Sequence, residues 1–97
     1  MSDRRVVHLS IRGRVQGVGF RAFVEDEAVA RQLDGWVRNR RDGSVEAAGA
    51  GPREAVDSWI EAVRQGPPAS RVDALEAQET NESALAGRFG FAQLPTV

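Results

Sequence analysis

The sequence predicts an α+β fold, a ferredoxin-like βαββαβ sandwich with two helices on one face of an antiparallel sheet and a short fifth strand at its edge. Three observations predict it. Stretches 6–12, 35–40, 45–50 and 71–78 read as strands, most clearly where apolar and polar residues alternate at 6–12. Two intervening segments carry apolar residues at helical spacing, one in the first interval and one in the third. Only Arg41-Asp42-Gly43-Ser44 separates the second strand from the third, which makes them a hairpin. Two right-handed crossovers and one hairpin then give the strand order 4-1-3-2.

The elements follow in order. In 6–12, Val7, Leu9 and Ile11 alternate with His8, Ser10 and Arg12, the pattern of a half-buried strand. Phe20 to about Leu33 contains no helix breaker and places Phe20, Phe23, Val24 and Ala28 on one stripe, interrupted by Glu27. The second strand is 35–40. Asp42-Gly43 suits a tight turn with positive φ at both central positions. The third strand is 45–50. Pro52 reads as the first residue of the second helix, whose core face is Val56, Trp59, Ile60 and Val63, and Gly66-Pro67-Pro68 stops it. The fourth strand, 71–78, has an irregular phase between Val72 and Leu75. Residues 81–87 read as loop, and 88–94, with Phe89 and Phe91 alternating, as the edge strand.

The chain has 97 residues, read as one domain over 1–97. A chain this size buries roughly 60–65% of its unfolded surface, an adequate core without excess. There is no cysteine, which removes disulfides, thiol catalysis and thiolate metal sites and fits a cytoplasmic protein. His8 is the single histidine, so no histidine cluster is available for zinc. All thirteen basic residues are arginine, so Schiff-base chemistry and a phosphate-loop lysine are excluded. No apolar run is long enough to span a membrane, and no signal-peptide pattern opens the chain. The net charge of -1 conceals an asymmetry: five arginines and no acid lie between Arg4 and Val24. That excess is either a solvated surface or an anion site.

Residues 13–21, GRVQGVGFR, place three glycines between the first strand and first helix. Two readings stand: a tight strand–helix connection, or a cradle of backbone N–H groups at a helix N-terminus that holds an anion. Arg21, in the first helical turn, would add a planar fork of donors suited to phosphate oxygens. Asn39 shares a face with Val37 and ends the second strand at the same sheet edge. It either caps the hairpin or faces the anion across a gap of about 10 Å, two strand spacings. His8 reads as a strand-face residue, Glu25, Asp26 and Glu27 as a solvated helix face, Trp59 as core and Asp42 as a turn residue.

With GRVQGVGFR and GWVRNRRDGSVE both in view, the chain resembles the acylphosphatases from about Val6 to Phe91. The resemblance implies metal-independent hydrolysis of the carboxyl–phosphate mixed anhydride without a cofactor. It places the phosphate-binding arginine on Arg21 and the water-positioning asparagine on Asn39. It places the phosphate cradle on the backbone of Gln16, Gly17, Val18, Gly19 and Phe20. The expected partners are an acyl phosphate substrate and inorganic phosphate as product and inhibitor, with no nucleic acid, no membrane and a monomeric chain. Two features depart from the family pattern. Arg31-Gln32 stands where the family ends its first helix with an apolar residue and glycine. The third strand, VEAAGAG, is poor in large apolar residues, which predicts weak packing.

The residues fit this chemistry on their own terms. A carboxylate leaves without a general acid, and phosphoryl transfer needs mainly positioning and charge stabilisation. A non-catalytic anion-binding module would keep the glycine loop without needing Asn39. An RNA-recognition domain shares the element order but needs aromatics on strand three, and Val45 to Ala50 has none. The absence of further sequence after Val97 favours a free-standing enzyme over one domain of a larger carbamoyl-transfer enzyme.

Overall fold

Strand β1 (Arg4–Arg14) carries the predicted alternation and extends it at both ends, with Val7, Leu9 and Ile11 fully buried on one face. The computed structural model describes residues 3–97. Helix α1 (Phe20–Ala30), β2 (Asp34–Asn39), β3 (Val45–Pro52), α2 (Arg53–Gln65), β4 (Arg71–Glu79) and β5 (Phe91–Gln93) follow, with a 3₁₀ turn at Glu82–Leu85. The sheet order is β4-β1-β3-β2-β5. This is the predicted 4-1-3-2 order with the edge strand added. The sheet is mixed rather than purely antiparallel, because β5 joins β2 in parallel.

Register explains how the site assembles. Ile11 pairs with Val45, and Val45 pairs with Asn39, so one row crosses β1, β3 and β2 near the edge where the glycine loop leaves β1. The main core lies between the sheet and the helices. Trp59 is fully buried there and donates its Nε1–H to the Val24 carbonyl at 3.1 Å. A second, smaller cluster of Val6, Trp36, Ala48, Ala50 and Leu85 lies on the other sheet face under the 3₁₀ turn.

Several expectations need correction. Helix α1 ends at Ala30 rather than near Leu33, because Gln32 turns left-handed at φ 57. Gln32 N–H then donates to Val29 C=O and Leu33 N–H to Ala28 C=O, a Schellman closure with Leu33 folded into the core. Pro52 is the last residue of β3 and caps α2 instead of opening it; Arg53 N–H donates to the Asp3 carbonyl. In the hairpin only Gly43 has positive φ, and its N–H closes a turn on the Arg40 carbonyl at 3.1 Å. Asp42 accepts from the Ser44 N–H and hydroxyl. The pairing is therefore a wider loop than the two-residue turn predicted. The 81–87 loop holds a 3₁₀ turn because Asn81 caps it and Leu85 is buried. Phe89 is 97% exposed and off the sheet, while Phe91 packs edge-on to Trp59.

The third strand is not weakly packed. It runs through the sheet's centre with Val45 to Gly51 buried. A Cβ at Gly49 would lie 2.5 Å from the Trp59 ring, and one at Gly51 2.5 Å from Leu33. Small residues there let large ones from the helix layer seat on the backbone. The irregular phase of β4 is a bulge: Arg12 faces Ala74 and Gly13 faces Val72, so Asp73 is the extra residue. It returns Val72 and Leu75 to the core side.

Candidate active site

The loop between β1 and α1 is shaped by two glycines with positive φ, 74° at Gly17 and 77° at Gly19. A Cβ at either would meet no atom within 4 Å, so backbone conformation, not space, selects glycine here. Gly19 is the N-cap of α1 and offers no side chain to the first turn. Among the described residues, no backbone N–H from Gln16 to Ala22 has a hydrogen-bond partner. Orphan donors at a helix N-terminus, beside alternating left-handed turns, form a concavity of positive partial charge.

That concavity is a pocket of about 170 Å³, several times the roughly 30 Å³ a water occupies in the liquid. Gln16, Gly17, Gly19, Phe20, Arg21 and Asn39 all line it. Val18, the remaining residue of the predicted cradle, instead packs its side chain against the core. Arg21 is half-buried, and no carboxylate or acceptor pairs with it among the described residues. Asn39 Oδ1 is shielded from solvent and likewise has no partner. An unpaired buried acceptor costs about 1–3 kcal/mol. It is a cost the fold bears at the one asparagine facing this pocket.

The arginines flanking Asn39 point to the opposite face of β2. Arg38 Nε donates to Glu46 Oε1 at 2.7 Å, and Arg40 and His8 reach Glu46 Oε2, each at 2.8 Å. Burial opposes ionisation of Glu46, but hydrogen bonds from Arg40, His8 and Arg38 outweigh it and hold the carboxyl at about 2. Those bonds in turn raise Arg40, chiefly through Glu46. Arg21, by contrast, lines the pocket and has no ion-pair partner among the described residues.

Val15, Ala22 and Gln93 also line the pocket and were not anticipated. Gln93 arrives through the parallel pairing of β5, opposite Val37, and donates to Glu25 at 2.9 Å. Glu25, expected in a solvated face, is therefore tied to the pocket rim. No local pattern marks Gln93; only the bare edge of β2 would have pointed to it.

The acylphosphatase family model matches residues 7–91. The chain belongs to the acylphosphatase family. It is similar along nearly its whole length to acylphosphatases of Bradyrhizobium diazoefficiens, at 50% identity over 98% of this chain and 99% of that one, and of Nitrobacter winogradskyi, at 54% over 95% and 96%. The acylphosphatase of Bacillus subtilis superposes with a TM-score of 0.85 at 44% identity, over 92% of this chain and 97% of the other. Both stretches that carry the resemblance, 13–21 and 35–46, lie inside the matched region. They are also the stretches that supply the glycine loop, Arg21 and Asn39 to the pocket.

Proposed function

We propose that this enzyme hydrolyses acyl phosphates by direct attack of water on a phosphoryl group seated in the glycine-loop pocket. The backbone N–H groups of Gln16 to Phe20 receive the phosphoryl oxygens, and Arg21 adds its paired donors. Asn39 orients the attacking water through its amide. A bond forms between the water oxygen and phosphorus as the bond from phosphorus to the carboxylate oxygen breaks. The carboxylate is stable as it leaves, so no acid is needed. Asn39 is not a base at neutral pH; the water's proton passes to a phosphoryl oxygen or to solvent.

The observation that carries this reading is convergence. Unpartnered backbone donors, an arginine without an ion-pair partner and the buried, unpartnered Oδ1 of Asn39 come together at one pocket. Free N–H groups occur at any helix N-terminus, but here they share a pocket with an arginine that has no ion-pair partner among the described residues and with a buried amide oxygen that lacks a bond. Among the described residues no three His, Cys, Asp or Glu side chains come together. The reading uses no metal, and we take the enzyme to act as a cytoplasmic monomer. No helix is long and apolar enough to cross a membrane among the described residues.

Phosphate release from benzoyl phosphate in EDTA tests it. Turnover should persist in chelator, with inorganic phosphate inhibiting competitively. Arg21→Lys should lose most activity and phosphate affinity, because a point charge does not reproduce the fork. Activity that vanishes in EDTA and returns with magnesium would overturn the mechanism.

A further inference from the structure

The side chain of Gln16 joins the two halves of the pocket. Its Nε2 donates to the Arg40 carbonyl at 2.8 Å and to the Ser44 carbonyl at 2.9 Å. Both acceptors are carbonyls, so only the nitrogen of the amide fits there. The Ser44 carbonyl already accepts from Arg40 N–H at 2.8 Å, so Gln16 locks onto the closing pair of the hairpin. Arg40 directly follows Asn39. Among the described residues these are the only hydrogen bonds between residues 15–20 and 39–44.

No ladder does this work, because β3 separates β1 from β2. Nor does the Asn39 amide hold itself, since its Oδ1 has no partner. Its aim is inherited from the backbone at 39–40. That backbone is held from one side by the Val97 N–H, which donates to the Asn39 carbonyl at 3.1 Å. From the other side it is held by β3, through Asn39 opposite Val45 and the Arg40 N–H on the Ser44 carbonyl, and Gln16 ties that hairpin end to the loop that carries the cradle.

We propose that Gln16 is a positioning residue: its side chain fixes the distance and angle between the phosphoryl cradle and the Asn39 amide, so that the water meets phosphorus in line. This rests on the reading of Asn39 as the water-orienting group. Misplacing a reacting group by about 1 Å costs up to about 10²-fold in rate.

The test is a double-mutant cycle of Gln16→Met with Asn39→Ala, read as kcat, KM and the inhibition constant for inorganic phosphate. Methionine keeps the length of the side chain and removes both donors. Gln16→Met should lower kcat on the order of 10- to 10²-fold. Phosphate inhibition should stay within about twofold, because the cradle and Arg21 are intact. In the Asn39→Ala background the same change should cost less than about twofold, since the group being positioned is gone. Gln16→Leu, uncharged and without donors, should behave like Gln16→Met, and retained phosphate inhibition certifies a folded site in either variant. Equal losses in both backgrounds, a loss confined to KM and phosphate affinity, or wild-type kinetics would each overturn the proposal. An Asn39→Ala variant with wild-type kcat would overturn the reading of Asn39 and this proposal with it. A large Asn39 effect that is additive with Gln16 overturns only the role of Gln16.

Discussion

Acid should weaken the protein through Glu46, and the size of the effect follows from its surroundings. This carboxylate is nearly buried on β3 and receives bonds from Arg38, Arg40 and His8. Its pKa falls from an ordinary 4.5 to about 2 in the folded protein. As pH falls through 4.5 the unfolded chain takes up a proton at Glu46 that the folded protein refuses until about 2. The contribution is therefore complete above pH 4.5 and lost as pH falls toward 2. At about 1.4 kcal/mol for each tenfold change in proton affinity, it amounts to about 3 kcal/mol. Total stability for a domain this size is about 5–15 kcal/mol, so the loss is large. Urea unfolding followed by tryptophan fluorescence, at a series of pH values for wild type and Glu46→Gln, isolates it. Trp36 reports on the patch directly, because Arg38 lies 4.7 Å over its ring. Asp42, Asp73 and Glu82 also have lowered values, but they act in both proteins alike. The stability gap between wild type and Glu46→Gln should be widest near neutral pH and shrink by about 3 kcal/mol on reaching pH 2. A gap that stays constant over that range would refute the reasoning.

Asn39→Ala should lower kcat about 10²–10³-fold with little change in KM, as expected for loss of one preorganised polar contact. Asn39→Asp should do no better and should raise KM, since it sets a negative charge beside the phosphoryl group; a wild-type rate in that variant would mean a base acts at this position. Gln32→Gly should raise stability by about 1 kcal/mol in thermal melts, because it relieves a left-handed glutamine at the end of α1; an unchanged melt would show that the closure is already unstrained. Gly49→Ala should cost about 1–3 kcal/mol by driving a methyl into the Trp59 ring, read by denaturation and by a shift in indole fluorescence; an unaltered spectrum with full stability would contradict the packing described.

Much of the fold was legible because its signals are local. Alternation at Val7, Leu9 and Ile11 needs only the two-residue period of a strand. The face of Val56, Trp59, Ile60 and Val63 needs only the helical period. Arg21 and Asn39 could be named because each sits in a short motif beside a predicted element end. Two of the misjudgements depended on partners distant in sequence. Val45 to Gly51 looked weakly packed because its small residues were judged alone, without the Trp59 and Leu33 they accommodate. Phe89 and Phe91 looked equivalent by alternation, yet only Phe91 finds the Trp59 ring.

The sequence by itself determined the order of elements, the glycine-shaped loop at a helix N-terminus and the chemical character of the two side chains in the pocket. These are properties of backbone preference and residue type, which act within a few positions along the chain. Only the tertiary structure decided the row from Ile11 through Val45 to Asn39, the parallel approach of β5 that brings Gln93 to the pocket, and the reach of Gln16 to the Arg40 and Ser44 carbonyls. Each of these joins residues on separate strands or loops. Their energies depend on register and burial, which exist only once the sheet has closed.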